Sequence, residues 1–188
     1  MNKLTLIVLF IISYGYSQDD TEKQELKTDN YTTVNSKYFN NLYCINDSLF
    51  RSEQPSKMGF KELENSGVKT IINLRRLRND IKKAQNTDLQ LEHIPLATKF
   101  IQEEDVIEVL QRVQNAEKPV LIHCWHGSDR TGVMIAAYRI IVENWTKEDA
   151  INEFKIKEFG YHKNRYPNLV ELLENLNVEH IKKELGIE

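Results

Sequence analysis

The chain has 188 residues, of which 40% are hydrophobic, and a formal net charge of −3 at pH 7. This length and apolar content are enough for one domain with a sizeable core, and the slightly acidic balance gives no reason to expect nucleic acid as a partner. The chain has two cysteines, Cys44 and Cys124, which excludes a disulfide-rich scaffold.

The first 17 residues have the pattern of a secretory signal peptide. A short positive region, 1–3, precedes the apolar run 4–12, and small residues follow at alternate positions up to Ser17. The apolar run is too short to predict a membrane-spanning helix, so we expect an exported protein, periplasmic or secreted, without stable membrane insertion after cleavage. An uncleaved anchor is the alternative. Residues 18–36 are polar and are predicted to form a flexible lead-in, which leaves 37–188 as the folded domain.

Strands and helices alternate along the next part of the chain. Short strands are predicted at 42–45 and 49–51 around an Asn-Asp-Ser turn, and a helix is predicted to begin near Ser56 and to end near Gly67. Apolar runs predict the buried strands of a sheet at 68–74, 88–96 and 120–123.

Helices dominate the rest of the chain. Apolar residues at helical spacing predict an amphipathic helix at 103–116, and the helix that starts near residue 130 is apolar almost all round, so we expect it to be buried. Thr146 and Pro167 are typical first residues of two further helices. This order predicts an α/β fold with a central, mostly parallel sheet flanked by helices and a helical C-terminal half.

The segment from Cys124 to Arg130 is the most informative part of the sequence. Five residues separate a cysteine at the end of a buried strand from an arginine at the start of a helix. A loop of this length can wrap a tetrahedral anion with its backbone N–H groups, and the helix N-terminus favours the same anion. Gly127 lets the loop turn inward without a Cβ. The helix, Arg130 and His123 all favour the thiolate form of Cys124.

The motif His-Cys-x-x-Gly-x-x-Arg-Thr-Gly at 123–132 resembles the signature of the cysteine-based protein tyrosine and dual-specificity phosphatases. The segments 49–55, 68–75 and 93–96 are similar to upstream motifs of small bacterial dual-specificity-like members. The resemblance implies a dual-specificity phosphatase-like fold with no metal and no cofactor. It also implies three roles: nucleophile for Cys124, phosphate clamp for Arg130, and for Thr131 a hydrogen bond to the thiolate that assists breakdown of the phosphocysteine.

The position of the general acid departs from the pattern of the family that the chain resembles. The resemblance implies an Asp on a loop upstream of the nucleophile, but 94–100 contains none. Asp129, inside the phosphate loop, is the leading candidate. Myotubularin lipid phosphatases and secreted bacterial phosphatases with a Lys-Asp-Arg-Thr loop ending are similar in this respect. The alternatives are a salt bridge for Asp129, or an acid among the upstream carboxylates Glu103, Glu104 and Asp105.

Further residues are predicted to support or bind the substrate. Arg75 is expected at the carboxyl edge of the sheet with Cys124, where parallel sheets bind ligands. It begins a basic cluster that continues with Arg76, Arg78, Lys82 and Lys83, and the alternative for this cluster is a solvated helix face paired with Asp80. His123 is given a supporting role, and the lone histidines lack the paired spacing of a zinc site. The remaining candidates for phosphate or substrate binding are the loop residues Trp125, His126, Gly127 and Ser128.

These patterns predict an enzyme that hydrolyses phosphomonoesters through a phosphocysteine, acting on phosphorylated proteins or a small phosphoester. A phosphoinositide phosphatase is the first alternative, although such loops usually contain a Lys that this loop lacks. A catalytically silent phosphate-binding module is the second, although the Cys, Gly, Arg and Thr are all present. Cys44 is predicted to be a small buried side chain rather than a disulfide partner of Cys124.

Overall fold

The computed structural model describes residues 30–187, so the predicted signal peptide and most of the predicted lead-in lie outside the described residues. Within that part of the chain, one mixed sheet is formed by six strands: β1 (Thr32–Thr33), β2 (Tyr43–Asn46), β3 (Leu49–Ser52), β4 (Thr70–Arg75), β5 (Gln90–Leu96) and β6 (Val120–His123).

The spatial order of the strands is β1-β2-β3-β6-β4-β5. Strand β6 lies between β3 and β4 and runs parallel to both, and β5 runs parallel to β4. Strands β1, β2 and β3 form antiparallel pairs at one edge. The strand that leads to Cys124 is therefore central, and its carboxyl end meets those of its two parallel neighbours.

Seven α-helices accompany the sheet within residues 30–187: α1 (Lys57–Asn65), α2 (Ile81–Ala84), α3 (Glu103–Asn115), α4 (Asp129–Ile141), α5 (Lys147–Phe154), α6 (Asn168–Asn175) and α7 (Val178–Leu185). The described chain after β6 is helical, which confirms the predicted α/β fold. No helix among the described residues is long and apolar enough to cross a bilayer.

Two helix starts follow from local capping signals. The Ser56 side chain accepts a hydrogen bond from the N–H of Gly59 at the start of α1, and Thr146 accepts one from the N–H of Asp149 at the start of α5. A short polar side chain at this position satisfies an N–H group that the helix leaves unpaired. The sequence predicted both starts.

The core places α4 at the centre of the molecule. Its residues Val133, Met134 and Ala137 are fully buried, and the helix packs against α3, α5, α6 and α7. A second apolar cluster, which includes Phe60 and Leu121, lies against α1. Because β6 and α4 are both buried, the loop between them is held by a rigid element at each end.

The predicted flexible lead-in differs from the structure over residues 30–36. Strand β1 pairs with β2, and the ring of Tyr31 lies 5.5 Å from that of Tyr43 and 4.8 Å from that of Phe159. Aromatic packing of this kind stabilises an arrangement that the polar composition of the segment does not reveal.

Cys44 lies half-buried in β2, Cys124 is buried, and both are free cysteines. The pairing partner of Cys44 is Phe50 of β3, which in turn pairs with Leu121 of β6. Two strand spacings, roughly 10 Å, therefore separate Cys44 from β6, and Cys124 lies further along the chain. This separation is too great for a disulfide. Burial raises the pKa of the Cys44 thiol, which disfavours its reactive thiolate.

Candidate active site

The loop 124–128 joins β6 to α4 at the carboxyl edge of the sheet. Cys124 is only 2% exposed and lies at the floor of this loop. Helix α4 begins at Asp129, so its free N–H groups and the positive end of its dipole come directly after the loop. The structure thus brings together a thiol and an anion-attracting helix end, as the sequence predicted.

Gly127 is required by close packing of the loop. It has φ +72°, and a Cβ at this position would lie 2.6 Å from the carbonyl carbon of Ser52 and 2.7 Å from the nitrogen of Glu53. An L-residue is disfavoured by the backbone conformation and would also collide with the backbone that follows β3. The loop can therefore lie against that segment only with glycine here.

A buried arginine, Arg51, lies under the loop. Its Nη2 donates a hydrogen bond of 2.7 Å to the carbonyl of Gly127, and its guanidinium lies 4.0 Å from the ring centre of Phe159. Burial lowers the pKa of Arg51 to about 10, while the charges of Glu153 and Cys124 favour the protonated form. Arg51 is therefore a cation at neutral pH.

Arg51 received no role from the sequence, although it lies in the segment 49–55 that carried part of the resemblance. The available signal was its position in the strand: Arg51 alternates with Leu49, and alternate residues share one face of a sheet. A charged residue on a buried face needs a specific partner.

Arg130 is hydrogen-bonded to the carboxyl edge of the sheet. Its Nη1 donates to the carbonyl oxygens of Leu74 and Leu96, at 3.1 and 3.4 Å, at the carboxyl ends of β4 and β5. The other guanidinium nitrogens have no hydrogen-bond partner among residues 30–187. A guanidinium has five N–H donors, so donors are left to bind an anion.

Thr131 is fully buried in the first turn of α4. Its hydroxyl oxygen has no hydrogen-bond partner among the described residues. A buried hydroxyl without a partner costs stability, and such exceptions call for a specific explanation. A hydrogen bond to the Cys124 thiolate stays the predicted role.

Asp129 is held by a residue from a distant part of the chain, His162. Its Oδ1 accepts a hydrogen bond of 2.9 Å from the backbone N–H of His162, and its Oδ2 lies 2.9 Å from Nδ1 of the same residue. Asp129 is therefore hydrogen-bonded to His162 in the structure, and both its acid role and the salt-bridge alternative stay predictions. The sequence offered no local signal for this pair, since the two residues are 33 positions apart.

The upstream carboxylates lie at the start of α3. Glu103 accepts a hydrogen bond of 2.8 Å from the N–H of Asn177, and Asp105 accepts one of 2.9 Å from the N–H of Gln102. Glu104 is exposed on the same turn. Two of the three alternative acids thus accept hydrogen bonds from backbone N–H groups.

His123 supports the loop through a buried network. Its Nε2 lies 2.7 Å from Oδ2 of Asp80, and Gln54 donates to Oδ1 of Asp80 at 2.8 Å. Burial raises the pKa of Asp80, but hydrogen bonds from His123, Gln54 and Asn73 outweigh it and hold that pKa below its usual value. The alternative of Asp80 as a surface partner of the basic cluster is wrong, because Asp80 is buried with His123.

Arg75 lies beside the loop, as its position in the sequence predicted. Its guanidinium lies 4.2 Å from the ring centre of Trp125 and donates to Oε1 of Gln54. Burial lowers the pKa of Arg75. Trp125 itself is 53% exposed, whereas Arg75 is buried, so the indole forms part of the surface that a substrate would meet and Arg75 supports it from behind.

The two remaining loop candidates differ in exposure. The carbonyl of His126 accepts hydrogen bonds from Asn41 at 2.7 Å and from the hydroxyl of Ser128 at 3.4 Å. Ser128 is buried, whereas the ring of His126 is exposed and lies 5.9 Å from that of His162. Ser128 therefore shapes the loop, and His126 is placed at its rim.

A cleft of about 260 Å³ adjoins Arg130. It combines two further cations with two aromatic rings, and its lining residues are Arg76, Leu96, Ala97, Thr98, Lys99, Phe100, Arg130 and Tyr166. Among residues 30–187, no group of His, Cys, Asp and Glu is arranged to hold a metal ion.

A family model described as a DSP-PTPase phosphatase fused to NAD+ kinase matches residues 24–170. The dual specificity protein phosphatase TpbA of Pseudomonas aeruginosa is 33% identical over 122 residues, which are 64% of this chain and 56% of TpbA. An inositol diphosphatase of Arabidopsis thaliana is 25% identical over 130 residues, 61% of this chain and 60% of that protein. The chain thus spans less than two thirds of the length of either relative.

Crystal structures of P. aeruginosa TpbA, one of a Cys-to-Ser variant in complex with phosphotyrosine, have the same fold. They match with a TM-score of 0.76 at 25% identity, covering 85% of this chain and 98% of that chain. The core catalytic domain of the PP-IP phosphatase SIW14 from S. cerevisiae matches with a TM-score of 0.67 at 24% identity, covering 78% and 91%. That second likeness shows the fold alone.

Proposed function

Since the chain belongs to the DSP-PTPase phosphatase family, we propose that it hydrolyses phosphomonoesters through a phosphocysteine intermediate, with phosphotyrosine proteins as the first substrate class. One observation carries the proposal: the loop between β6 and α4 places Cys124 at its floor and Arg130, with free donors, at the adjoining strand ends. A thiolate nucleophile and a planar cation clamp are the two groups that phosphoryl transfer to cysteine requires.

The first step transfers the phosphoryl group to sulfur. The Cys124 thiolate attacks phosphorus in line, while Arg130 and the loop N–H groups hold the equatorial oxygens. A P–S bond forms as the bond to the leaving oxygen breaks, and that oxygen takes up a proton supplied from the Asp129 side of the loop.

The second step returns the enzyme to its starting state. Water attacks the phosphocysteine, loses a proton to the same acid-base group, and releases inorganic phosphate. The P–S bond breaks, and the departing Cys124 thiolate accepts the hydrogen bond that the Thr131 hydroxyl does not make elsewhere among the described residues. The cation Arg51 beneath the loop stabilises the same negative charge.

The cleft beside Arg130 supports an aryl phosphate as substrate. Phe100, which is largely exposed, and Tyr166 offer apolar surface to an aromatic ring of the substrate. The positive charges of Arg76 and Lys99 favour a substrate that has acidic groups near its phosphorylated residue. TpbA, which has the same fold, has been crystallised with phosphotyrosine.

Turnover assays test this function. Purified protein is offered p-nitrophenyl phosphate, a phosphotyrosine peptide, a phosphoserine peptide and a soluble phosphoinositide, with reductant and EDTA present. We expect turnover that survives EDTA and is fastest on the phosphotyrosine peptide. Cys124→Ser should abolish turnover and retain binding of the peptide, whereas Cys44→Ser should behave as wild type. Turnover retained by Cys124→Ser would contradict the proposal, and a preference for the phosphoinositide would move the substrate class to lipids.

Export through residues 1–17 is also part of the proposal, and it is supported by the sequence pattern alone. The N-terminal sequence of the protein recovered outside the cytoplasm tests it. We expect that sequence to begin at Gln18, and full-length protein confined to the cytoplasm would contradict export.

A further inference from the structure

The proton donor is the part of the site that the usual upstream loop does not supply here. Residues 94–100 contain no carboxylate, and Glu103 and Asp105 accept hydrogen bonds from backbone N–H groups at the start of α3 and after α6. Asp129 is the remaining carboxylate within the phosphate loop and helix start, and both its oxygens face His162. The side chain in direct contact with this carboxylate is therefore that of His162.

His162 is fixed in place by its backbone on both sides. Its N–H donates to Asp129 at 2.9 Å, and its carbonyl accepts hydrogen bonds from the N–H groups of Arg165 and Tyr166 at 2.9 and 3.1 Å. Just before it, Gly160 has φ +72°, and a Cβ there would lie 2.9 Å from the hydroxyl of Ser128. This segment is packed directly onto the phosphate loop.

The ring of His162 joins a buried carboxylate to the open rim of the site. The side chain of Asp129 is 11% exposed and that of His162 is 48% exposed. A carboxylate can only accept hydrogen bonds, so Nδ1 carries the hydrogen when Asp129 is ionised. Nε2 has no hydrogen-bond partner among residues 30–187, and the ring lies 5.9 Å from that of the loop residue His126.

We propose that His162 is the proton donor of this site and that Asp129 is the positioning residue that orients its ring. This inference rests on the phosphatase function proposed above. It changes the role expected for Asp129, from the acid itself to the carboxylate that orients the ring and selects the tautomer of His162. A histidine held by a carboxylate at one nitrogen and free at the other is suited to general acid and general base catalysis.

The proton balance is complete over the two steps. In the first step, the imidazolium gives the proton on Nε2 to the leaving oxygen as the P–O bond breaks and the P–S bond to Cys124 forms. In the second step, Nε2 accepts a proton from the water whose oxygen attacks phosphorus. The P–S bond then breaks, and Cys124 leaves as the thiolate. Asp129 neither gives nor takes the transferred proton in either step.

Leaving-group dependence distinguishes a proton donor from a structural residue. Phenyl phosphate has a poor leaving group that needs the proton, whereas p-nitrophenolate leaves well without it. The variant His162→Asn keeps an N–H donor near Asp129 but removes the free ring nitrogen. We expect kcat/KM on phenyl phosphate to fall by about 100-fold, with a change of only a few-fold on p-nitrophenyl phosphate, because kcat/KM reports the step in which the leaving oxygen departs. The alkaline limb of the kcat/KM profile against pH should also disappear.

The controls separate this inference from the function on which it rests. His180→Gln, on α7, should change neither substrate, and Asp129→Asn should show the pattern of His162→Asn at smaller amplitude. Equal losses of kcat/KM on both substrates in His162→Asn would overturn the inference, and so would a near-wild-type His162→Asn beside a leaving-group-dependent Asp129→Asn. Turnover of p-nitrophenyl phosphate by the wild type and none by Cys124→Ser would leave the phosphatase function standing in either case.

Discussion

The inner and outer faces of the loop 124–128 differ in burial and in hydrogen bonding. The inner face consists of Arg51, His123, Asp80 and Gly127, which are all buried and joined by short hydrogen bonds. The outer face consists of Trp125, His126 and His162, with the buried Arg75 stacked on Trp125; the rings of Trp125 and His162 are about half exposed. Buried polar groups require partners, and the two hydrogen-bonded pairs therefore hold the inner face in one arrangement, whereas the exposed rings of the outer face can adjust to a substrate.

This difference indicates a division of roles. The inner face determines the shape of the anion cradle and the positive charge beneath Cys124, and both must be in place before a substrate arrives. In the proposed mechanism, the outer face contacts the part of the substrate beyond its phosphate and transfers the proton. Variants of the inner face should therefore change kcat and stability, and variants of the outer face should change KM or leaving-group dependence.

The largest effect is expected from Gly127→Ala on the inner face. The new Cβ would lie 2.6 Å from the backbone of Ser52 at φ +72°, so the loop must move. A displacement of this size can cost about 100-fold in kcat/KM, and we expect at least that loss with p-nitrophenyl phosphate. The matched control is Gly67→Ala, which has φ +90° but no atom within 4 Å; it should lower the Tm without lowering kcat. Similar activities for the two variants would contradict the packing argument.

A smaller loss is expected from Arg51→Met. This variant removes the cation beneath the loop and leaves the carbonyl of Gly127 without its 2.7 Å partner. We expect kcat to fall by roughly 10- to 100-fold with little change in KM, by the loss of a preorganised charge. Arg165→Met removes an exposed arginine that stacks on Tyr166 at 5.3 Å, and it should retain wild-type kcat. An increase in KM with unchanged kcat for Arg51→Met would instead give Arg51 the role expected of the outer face.

Trp125→Ala tests the outer face. The exposed indole stacks on Arg75 at 4.2 Å, and such a pair contributes about 0.5–1 kcal/mol at exposed sites. We expect KM for aryl phosphates to rise several-fold while kcat stays within about twofold, because the variant removes an exposed ring on which the substrate ring can pack, and an aromatic pair contributes about 0.5–1.5 kcal/mol. Trp145→Ala, which removes a similar stack on Arg139 at 4.4 Å, should lower stability and leave KM unchanged. A large fall in kcat for Trp125→Ala would contradict the division of roles.

The smallest effect is the pH dependence of stability that Asp80 contributes. Its pKa is lower in the folded protein than its usual value of 3.8, so its stabilisation is present above that value and is lost as the pH falls through the folded-state pKa. Asp80→Asn should therefore lose less of its free energy of unfolding between pH 5 and strongly acidic pH than the wild type does. Urea titrations over that range measure the difference, and parallel curves for the two proteins would contradict it.

Much of the architecture could be predicted because its signals are local. The apolar run 120–123 and the apolar helix after Arg130 determine a buried strand and a buried helix by their own composition, and capping by Ser56 and Thr146 involves residues three positions apart. The lead-in was the exception: residues 30–36 are polar in composition, yet Tyr31 packs on Tyr43 and Phe159. Composition alone cannot register a contact between aromatic rings that are distant in sequence.

The same distinction applies to the site. The sequence by itself determined the order Cys124, Gly127, Arg130 and Thr131 along a loop between strand and helix, because that chemistry depends on spacing within one short segment. Only the tertiary structure decided which groups surround the segment. The pairs Arg51 with Gly127, Asp80 with His123 and Asp129 with His162 span 76, 43 and 33 positions. These contacts exist because separate elements pack together, and packing brings side chains together by shape and burial rather than by their spacing along the chain.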